Sequence, residues 1–145
     1  MNIRRIDDGD VGYCMSSWCA SHKDAMRIKP WGVYKAAFGP VFKSILNDPS
    51  TRLLGAYVDD TLVGWIAATP GKRVHTLHWV YVKHDVDGRR PRRHGVMTAL
   101  LEAADLGSMF VYTLRARRKL DDALVAALRA RGVTATHVPL LEWLK

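Results

Sequence analysis

The chain has 145 residues, which suits a single domain, residues 1–145, that buries a hydrophobic core without disulfides or a structural metal. Hydrophobic residues make up 48% of it and charged residues 25%, values that are ordinary for a globular protein and that exclude a low-complexity chain. The net charge of +8 favours an anionic partner, such as nucleic acid, a phosphorylated cofactor or an acidic protein surface, unless the protein is simply basic.

Cysteine usage and hydropathy predict a cytoplasmic protein. Cys14 and Cys19 are the two cysteines, and their spacing on a predicted helix suits neither a disulfide nor, with six scattered histidines, a zinc site. No apolar run has transmembrane length, and Met1–Asp8 lacks the apolar core of a signal peptide. We therefore expect reduced thiols, no metal, no membrane contact and a cytoplasmic location.

The first third of the chain predicts one strand followed by helices. Asn2–Ile6 has the alternation of a short strand, and a helix follows to about Ser21. Lys23–Pro30 is polar and predicts a loop. Trp31–Asn47 has helical spacing, but Gly39-Pro40 divides it, so we expect two short helices there.

The rest of the chain predicts a meander and then alternating helices and strands. The hydrophobic period becomes strand-like at Thr51, and turn residues separate three antiparallel strands. The predicted strands are Arg52–Val58, Leu62–Thr69, Val74–Val82, Phe110–Leu114 and Thr134–Leu141. The predicted helices are Val96–Asp105 and Leu120–Arg131, with Gly132 at the C′ position of the latter. Trp143 is expected to close the core of one α+β layer domain.

The stretch from Trp79 to Leu101 carries the strongest functional signal. A buried strand leads into a loop with four arginines, and Gly95 stands at the mouth of an apolar helix. The start of a helix offers unpaired N–H groups and the positive end of the helix dipole. Because glycine lets a ligand approach the backbone, the stretch suits a phosphate or pyrophosphate. A nucleic-acid contact and a solvated loop are the alternatives.

The same stretch resembles a known family. Arg92-Arg93-His94-Gly95-Val96-Met97 is similar to the Arg/Gln-x-x-Gly-x-Gly/Ala signature of the GNAT superfamily of N-acyltransferases, except at its last position. The element order resembles that family over nearly the whole chain. Leu77–Lys83 and Ser16-Ser17-Trp18 further resemble GNAT-like proteins of phages and prophages. The resemblance implies a three-layer α+β fold: a mixed, mostly antiparallel sheet with helices on both faces and with strands 4 and 5 splayed apart.

The resemblance also implies a coenzyme A site. The cofactor would be acetyl-CoA or another acyl-CoA, with its pyrophosphate on backbone N–H groups from about Arg93 to Met97. Val80, Tyr81 and Val82 would lend backbone groups to the pantetheine arm, and an amine would attack the thioester in the opening beside them. The residues expected to bind the cofactor are Val80, Tyr81, Val82, Arg90, Arg92, Arg93, His94, Gly95, Val96 and Met97.

Three departures from the family pattern bear on activity. Met97 stands where a small residue is expected, and Lys83–Pro91 makes the approach to the motif longer than usual. Many relatives carry a tyrosine four residues before the glycine that ends the last helix, as general acid to the leaving thiolate. Here that position, counted back from Gly132, is Leu128.

Three residues are candidate replacements for the catalytic groups. His78, on the strand beside the expected acyl site, is a candidate general base, or a histidine hydrogen-bonded within the sheet. Tyr112, on the opposing strand, is a candidate proton donor to the thiolate, and Tyr81 is another candidate catalytic residue. For both tyrosines the alternative is a purely structural place in the core.

Three functions are compatible with this sequence. The preferred one is an acyl-CoA-dependent N-acyltransferase whose acceptor is an amine of a protein, a small molecule or a nucleobase. The second is a phage-type GNAT-fold protein that modifies or binds nucleic acid through its basic surface, in the host cytoplasm. The third is an inactive GNAT-like domain with a structural or partner-binding role. A homodimer is compatible with each of them.

Overall fold

The computed structural model describes residues 1–26, 30–84, 86, 88, 95–113 and 118–143. The strands are β1 (Asn2–Arg5), β2 (Arg52–Val58), β3 (Thr61–Thr69), β4 (His75–Val82), β5 (Met109–Tyr112) and β6 (Thr134–His137). The helices are α1 (Val11–Met26), α2 (Trp31–Asn47), α3 (Val96–Ala104), α4 (Arg118–Ala130) and α5 (Leu140–Trp143), and a 3₁₀ turn, Asp8–Asp10, precedes α1. Within these described residues, no helix is long and apolar enough to span a bilayer.

The strands form one mixed sheet whose spatial order follows the chain, from β1 to β6. Strands β1 to β4 are antiparallel neighbours, so the predicted meander is confirmed. Strands β4, β5 and β6 are parallel, with α3 and α4 as the crossover segments. This topology brings the carboxyl ends of β4, β5 and β6 to the same edge of the sheet.

The sheet separates two hydrophobic clusters. On one face, α1 and α2 pack on β2, β3 and β4 around the fully buried Trp18, Trp65 and Phe42. On the other face, α3 packs on the same strands through Val96, Leu100 and Ala104. The helices therefore cover both faces, as predicted for a three-layer fold.

A polar seam fixes α1 on the sheet. The indole N–H of Trp65 donates to Ser17 Oγ at 2.9 Å, and the indole N–H of Trp79 donates to Ser21 Oγ at 3.1 Å. Each serine in turn donates to a carbonyl one turn earlier in the helix, at 2.7 Å in both cases. The serines are four residues apart, so they lie on one face of α1, and the seam sets the helix over β3 and β4.

The sequence prediction was wrong about where the first two helices end. The first continues beyond Ser21 to Met26, because Ser21 and the buried His22 dock on β4 and α2 through Trp79 and Tyr34. The second is a single helix that contains Pro40. Its aromatic side chains pack on both sides of the proline, as in the parallel stacking of Phe42 on Trp18 at 4.1 Å. This packing offsets the backbone hydrogen bond that proline removes.

The C-terminal strand is also shorter than predicted. It ends at His137, and Pro139 has no N–H to extend a ladder, so the chain turns into α5 with Trp143 N–H donating to Pro139 O at 3.0 Å. Trp143 packs against the core of the α1 face, as expected. The C′ glycine is confirmed as well, since Gly132 has φ +77° and its N–H donates to Arg129 O at 3.0 Å.

The hydrogen bonds of the seam predict that substitutions at two adjacent serines, Ser16 and Ser17, will have different effects on stability. Ser17→Ala leaves the Trp65 indole N–H buried without its partner, and we expect it to lower the free energy of unfolding by about 1–3 kcal/mol. Ser16→Ala, the matched control at an exposed position, should change it by less than about 0.5 kcal/mol. Urea unfolding followed by tryptophan fluorescence measures the free energy of unfolding of both variants. Equal losses in the two variants would show that the Ser17–Trp65 hydrogen bond does not stabilise the fold.

Candidate functional site

Strand β4 separates from β5 part-way along its length. His75, Thr76 and Leu77 are paired in register with Phe110, Val111 and Tyr112, and Thr113 N–H closes the ladder on Leu77 O at 3.2 Å. Beyond that point β4 stays in register with β3, and none of its described residues is in register with β5. We call this opening the fork. It confirms the predicted splay, and the half of β4 that lines it contains Val80, Tyr81 and Val82.

A β-bulge lies at the base of the fork. Ala67 is opposite Trp79 and Ala68 is opposite Leu77, so His78 is an extra residue on β4. The bulge interrupts the alternation of side chains, and His78 and Trp79 both lie on the α1 face of the sheet. Bulges are frequent beside active sites, where they redirect side chains.

His78 is enclosed by hydrogen bonds at this bulge. One ring nitrogen, Nε2, lies 2.8 Å from Thr69 Oγ1, and the other, Nδ1, lies 3.1 Å from Thr113 Oγ1. The Trp143 ring stands edge-on at 4.6 Å, and His78 is 1% exposed. Burial lowers the pKa of the imidazole to about 4, against a weaker opposite effect of Asp48. His78 therefore ties β3, β4 and the segment after β5 together, and its role as a general base stays a prediction.

Two phenols and an ammonium group stand on the α1 side of the fork. Tyr81 on β4 and Tyr13 on α1 have ring centroids 6.3 Å apart in an edge-on arrangement. Burial, and then a hydrogen bond with Tyr81, raise the pKa of Tyr13. The ammonium of Lys83 lies 4.5 Å from the centroid of the Tyr13 ring. Tyr81 is half-buried, so its predicted catalytic role stays open.

Tyr112 stands on the opposite side of the fork. It is the last residue of β5, it is half-buried, and it packs against the cluster on the α3 face together with Leu128 of α4. Its ring centroid is 5.2 Å from that of His137 on β6. The structure thus separates the three predicted catalytic residues, with Tyr81 and His78 on the α1 face and Tyr112 on the α3 face.

The N-terminus of α3 lies beside the carboxyl end of β4. Gly95 precedes the helix with φ +72°, and it contributes no capping side chain. Its carbonyl accepts the first intrahelical bond, from Ala99 at 3.0 Å, so the N–H groups of Val96, Met97 and Thr98 precede the helical ladder. Val96 is buried and Met97 is 37% exposed. Four other predicted phosphate-binding residues lie outside the described residues: Arg90, Arg92, Arg93 and His94.

The structure also places the two cysteines and the two adjacent serines of α1. Cys14 and Cys19 are buried and unpaired, and burial raises the pKa of the Cys14 thiol to about 12. Ser17 belongs to the seam, whereas Ser16 is exposed. Over the described ranges, no three His, Cys, Asp or Glu side chains converge in an arrangement that could hold a metal ion.

Comparison with solved structures identifies the fold. The structure is similar to an aminoglycoside 6′-N-acetyltransferase from Acinetobacter haemolyticus, with TM-score 0.56 and 18% identity over 88% of this chain and 89% of that one. An aminoglycoside N-acetyltransferase in complex with coenzyme A has TM-score 0.54 and 16% identity, over 96% and 91% of the two chains. The chain has the GNAT acetyltransferase fold. A transcriptional regulator from Bacillus halodurans C-125 is also similar, with TM-score 0.51, 21% identity and 96% of each chain covered.

The evidence for the GNAT fold comes from structure. No protein-family model and no curated protein matches the sequence. At these identities the structural comparison shows the shared fold, and the closer resemblance to phage-encoded proteins stays a prediction. In this GNAT fold, the fork and the N-terminus of α3 are adjacent, since Val80 and Val82 of β4 pack in the same cluster as Val96 of α3.

Sequence reasoning missed several residues at the site. Thr69 and Thr113, which hold His78, lie nine and thirty-five residues from it in the chain. Tyr13 and His137 were missed because their importance comes from the neighbours that α1 and β6 place beside them. No local pattern marks such residues. The nearest available signal was the splay of strands 4 and 5 that the family resemblance implies.

The buried histidines predict a loss of stability in acid. Burial lowers the pKa of both His22 and His78 to about 4, so between pH 6.5 and 4 the unfolded chain binds protons that the folded chain does not. Each neutral, buried histidine contributes about 3 kcal/mol to the free energy of unfolding. This contribution is complete above pH 6.5 and is lost as the pH falls toward 4.

The measurement is urea unfolding at several pH values between 4.5 and 7. His78→Gln keeps polar atoms near the two threonines but removes the titrating group, so its stability should depend less steeply on pH than that of the wild type. His84→Gln, at an exposed position, is the control and should keep the wild-type slope. A wild-type slope in His78→Gln would show that the imidazole is not buried in its neutral form.

Proposed function

We propose that this protein is an acyl-CoA-dependent N-acyltransferase that uses acetyl-CoA or another acyl-CoA. The observation that carries the proposal is the fork: β4 leaves β5 after Leu77, and the opening lies beside a helix N-terminus that begins on a left-handed glycine. A pantetheine arm is narrow and carries amides, so it can use backbone groups of β4 at the edge that is no longer in register with β5. A pyrophosphate is doubly anionic and suits the helix start. The acceptor is an amine of a protein, a small molecule or a nucleobase.

The N-terminus of α3 fits the coenzyme phosphates. A Cβ built on Gly95 would meet no atom of the described residues within 4 Å, so this part of the structure leaves space for a ligand beside the backbone. The N–H groups of Val96 and Met97 and the helix dipole would hold the negative charge. Met97 is partly exposed, so its side chain is not required to fill the core beneath the helix. These features support a phosphate site despite the methionine in the motif.

The edge of β4 fits the pantetheine arm. Lys83 N–H donates to Val63 O on β3 at 2.9 Å. Because bonding directions alternate along an antiparallel strand, the N–H of Val80, an odd number of residues earlier, is directed toward the fork. Val80 is half-buried, and its side chain packs against the cluster on the α3 face. It is therefore the N–H group we assign to the coenzyme or to the acyl carbonyl.

The residues on the two sides of the fork would act on different groups during acyl transfer. When bound, the coenzyme supplies an acyl group activated as a thioester. Val80 N–H would stabilise negative charge on the acyl oxygen, as backbone donors do in oxyanion holes. Tyr81, on the α1 side, would contact the incoming amine, and His78 remains the candidate base behind it. Tyr112, on the α3 side, would hold the proton that a leaving thiolate needs.

The proposal predicts that acetyl-CoA binding depends on Gly95. An alanine at φ +72° costs about 1–2 kcal/mol of stability, and its Cβ would also project into the open space where phosphates are expected. We therefore expect Gly95→Ala to weaken acetyl-CoA binding about tenfold or more in isothermal titration calorimetry.

Gly107 provides the matched control. It lies beyond the other end of α3, it has φ +75°, and a Cβ there would also meet no atom within 4 Å. Gly107→Ala should therefore lower the melting temperature about as much as Gly95→Ala and leave acetyl-CoA affinity unchanged. If neither acetyl-CoA nor free coenzyme A binds the wild type, the proposal is wrong, and an inactive GNAT-like domain becomes the better interpretation.

A further inference from the structure

His137 stands next to Tyr112 at the edge of the sheet where three parallel strands end. Tyr112 and His137 are partners in the β5–β6 register, and their ring centroids are 5.2 Å apart at an interplanar angle of 50°. The ladder continues past them, with Val138 N–H donating to Tyr112 O at 3.0 Å. The pair is therefore held by backbone pairing as well as by ring contact.

The pair faces the interior of the α3 side. Along β5, Phe110 and Tyr112 both belong to the cluster on that face, and their register partners on β6 are Ala135 and His137. Side chains alternate along a strand, so His137 is on the same face as Tyr112. Both are half-buried, so the pair stands between the core and the opening.

The pair also stands at the base of the fork. Tyr112 is opposite Leu77, the last β4 residue in register with β5. It is thus the first side chain on the α3 side where the two strands part. On the same face, α4 contributes Leu128, an apolar side chain, to the cluster. Among the described side chains at this place, Tyr112 and His137 are the ones that carry an exchangeable proton, and both stand at the ends of strands.

We propose that His137 is a positioning residue for Tyr112, which gives a proton to the leaving sulfur. This inference rests on the proposed function. As the carbon–sulfur bond breaks and its electron pair stays on sulfur, Tyr112 gives up its phenolic proton. His137, the ring neighbour of Tyr112, holds the phenol in place while it donates. The resulting phenolate regains a proton from water, and the hydroxide so formed takes up the proton that the acceptor amine loses.

The first test titrates the thiol of bound coenzyme A, using the ultraviolet absorbance of the thiolate. A phenol that donates to sulfur stabilises the thiolate, so the pKa of the bound thiol should be lower than that of free coenzyme A. Tyr112→Phe should return it to the free value. His137→Phe keeps an aromatic ring but no ring nitrogen, and it should move the pKa more than half of the way back.

Thr136→Ala is the matched control, since Thr136 is the exposed neighbour of His137 on the other face of β6. It should leave the thiol pKa unchanged. If coenzyme A binds and His137→Phe leaves the thiol pKa at the wild-type value, the role of His137 is refuted while the proposed function stands. If coenzyme A does not bind, the proposed function itself fails.

A second readout needs no coenzyme. In protein labelled with carbon-13 at tyrosine Cζ, the Tyr112 resonance is identified by its loss in Tyr112→Phe and is then followed as the pH is raised. His137→Phe should shift the titration of Tyr112, because it removes the imidazole beside the phenol, and Thr136→Ala should not. An unchanged titration in His137→Phe would overturn the pairing, whether or not coenzyme A binds.

Discussion

The site depends on one constraint, the way His78 holds three chain segments at the base of the fork. A β-strand has two edges, and β4 uses one for β3 from Thr76 to Val82, apart from the bulge, and the other for β5 over three residues. The bulge turns His78 toward Thr69 and Thr113, so two side-chain hydrogen bonds replace the ladder where the ladder stops. Buried polar groups are almost always paired, and His78 pairs both of its ring nitrogens with these threonines. The position at which the strands part is therefore set by a polar cluster.

The α1 side of the sheet stabilises the open half of β4. The half of β4 beyond Leu77 is not in register with β5, and the seam supports it from one face through Trp65 and Trp79, whose indoles donate to serines of α1. On the same helix, Tyr13 reaches the fork beside Tyr81. On the other face, Val96 and Leu100 of α3 pack beneath the strand. The two helix layers thus support the open half of β4. Different side chains line the fork on the two faces: Tyr13 and Tyr81 on the α1 side, and Tyr112 on the α3 side.

Much of the fold was predictable from hydrophobic periodicity, and the errors have identifiable causes. The meander was predicted because Asp59-Asp60 and Pro70-Gly71 punctuate three runs of strand formers. The break at Pro40 was predicted from local cost alone, but the aromatic packing of α2 outweighs that cost. At the site, Gly95 was predictable from its motif, and φ +72° explains why glycine stands there. The hydrogen-bond partners of His78 were not predictable, since no local sequence pattern indicates which threonines lie beside it in the fold.

The sequence by itself determined the order of elements, the left-handed glycine before α3 and the basic character of the chain, because each of these is set by residue type and near neighbours. The tertiary structure alone decided where β4 leaves β5, that His78 is enclosed, and that Tyr112 stands beside His137. All three features depend on the register of the strands and on the β-bulge that makes His78 an extra residue in β4. Because side chains alternate along a strand, a shift of one residue would exchange the faces, and only the folded pairing fixes that choice.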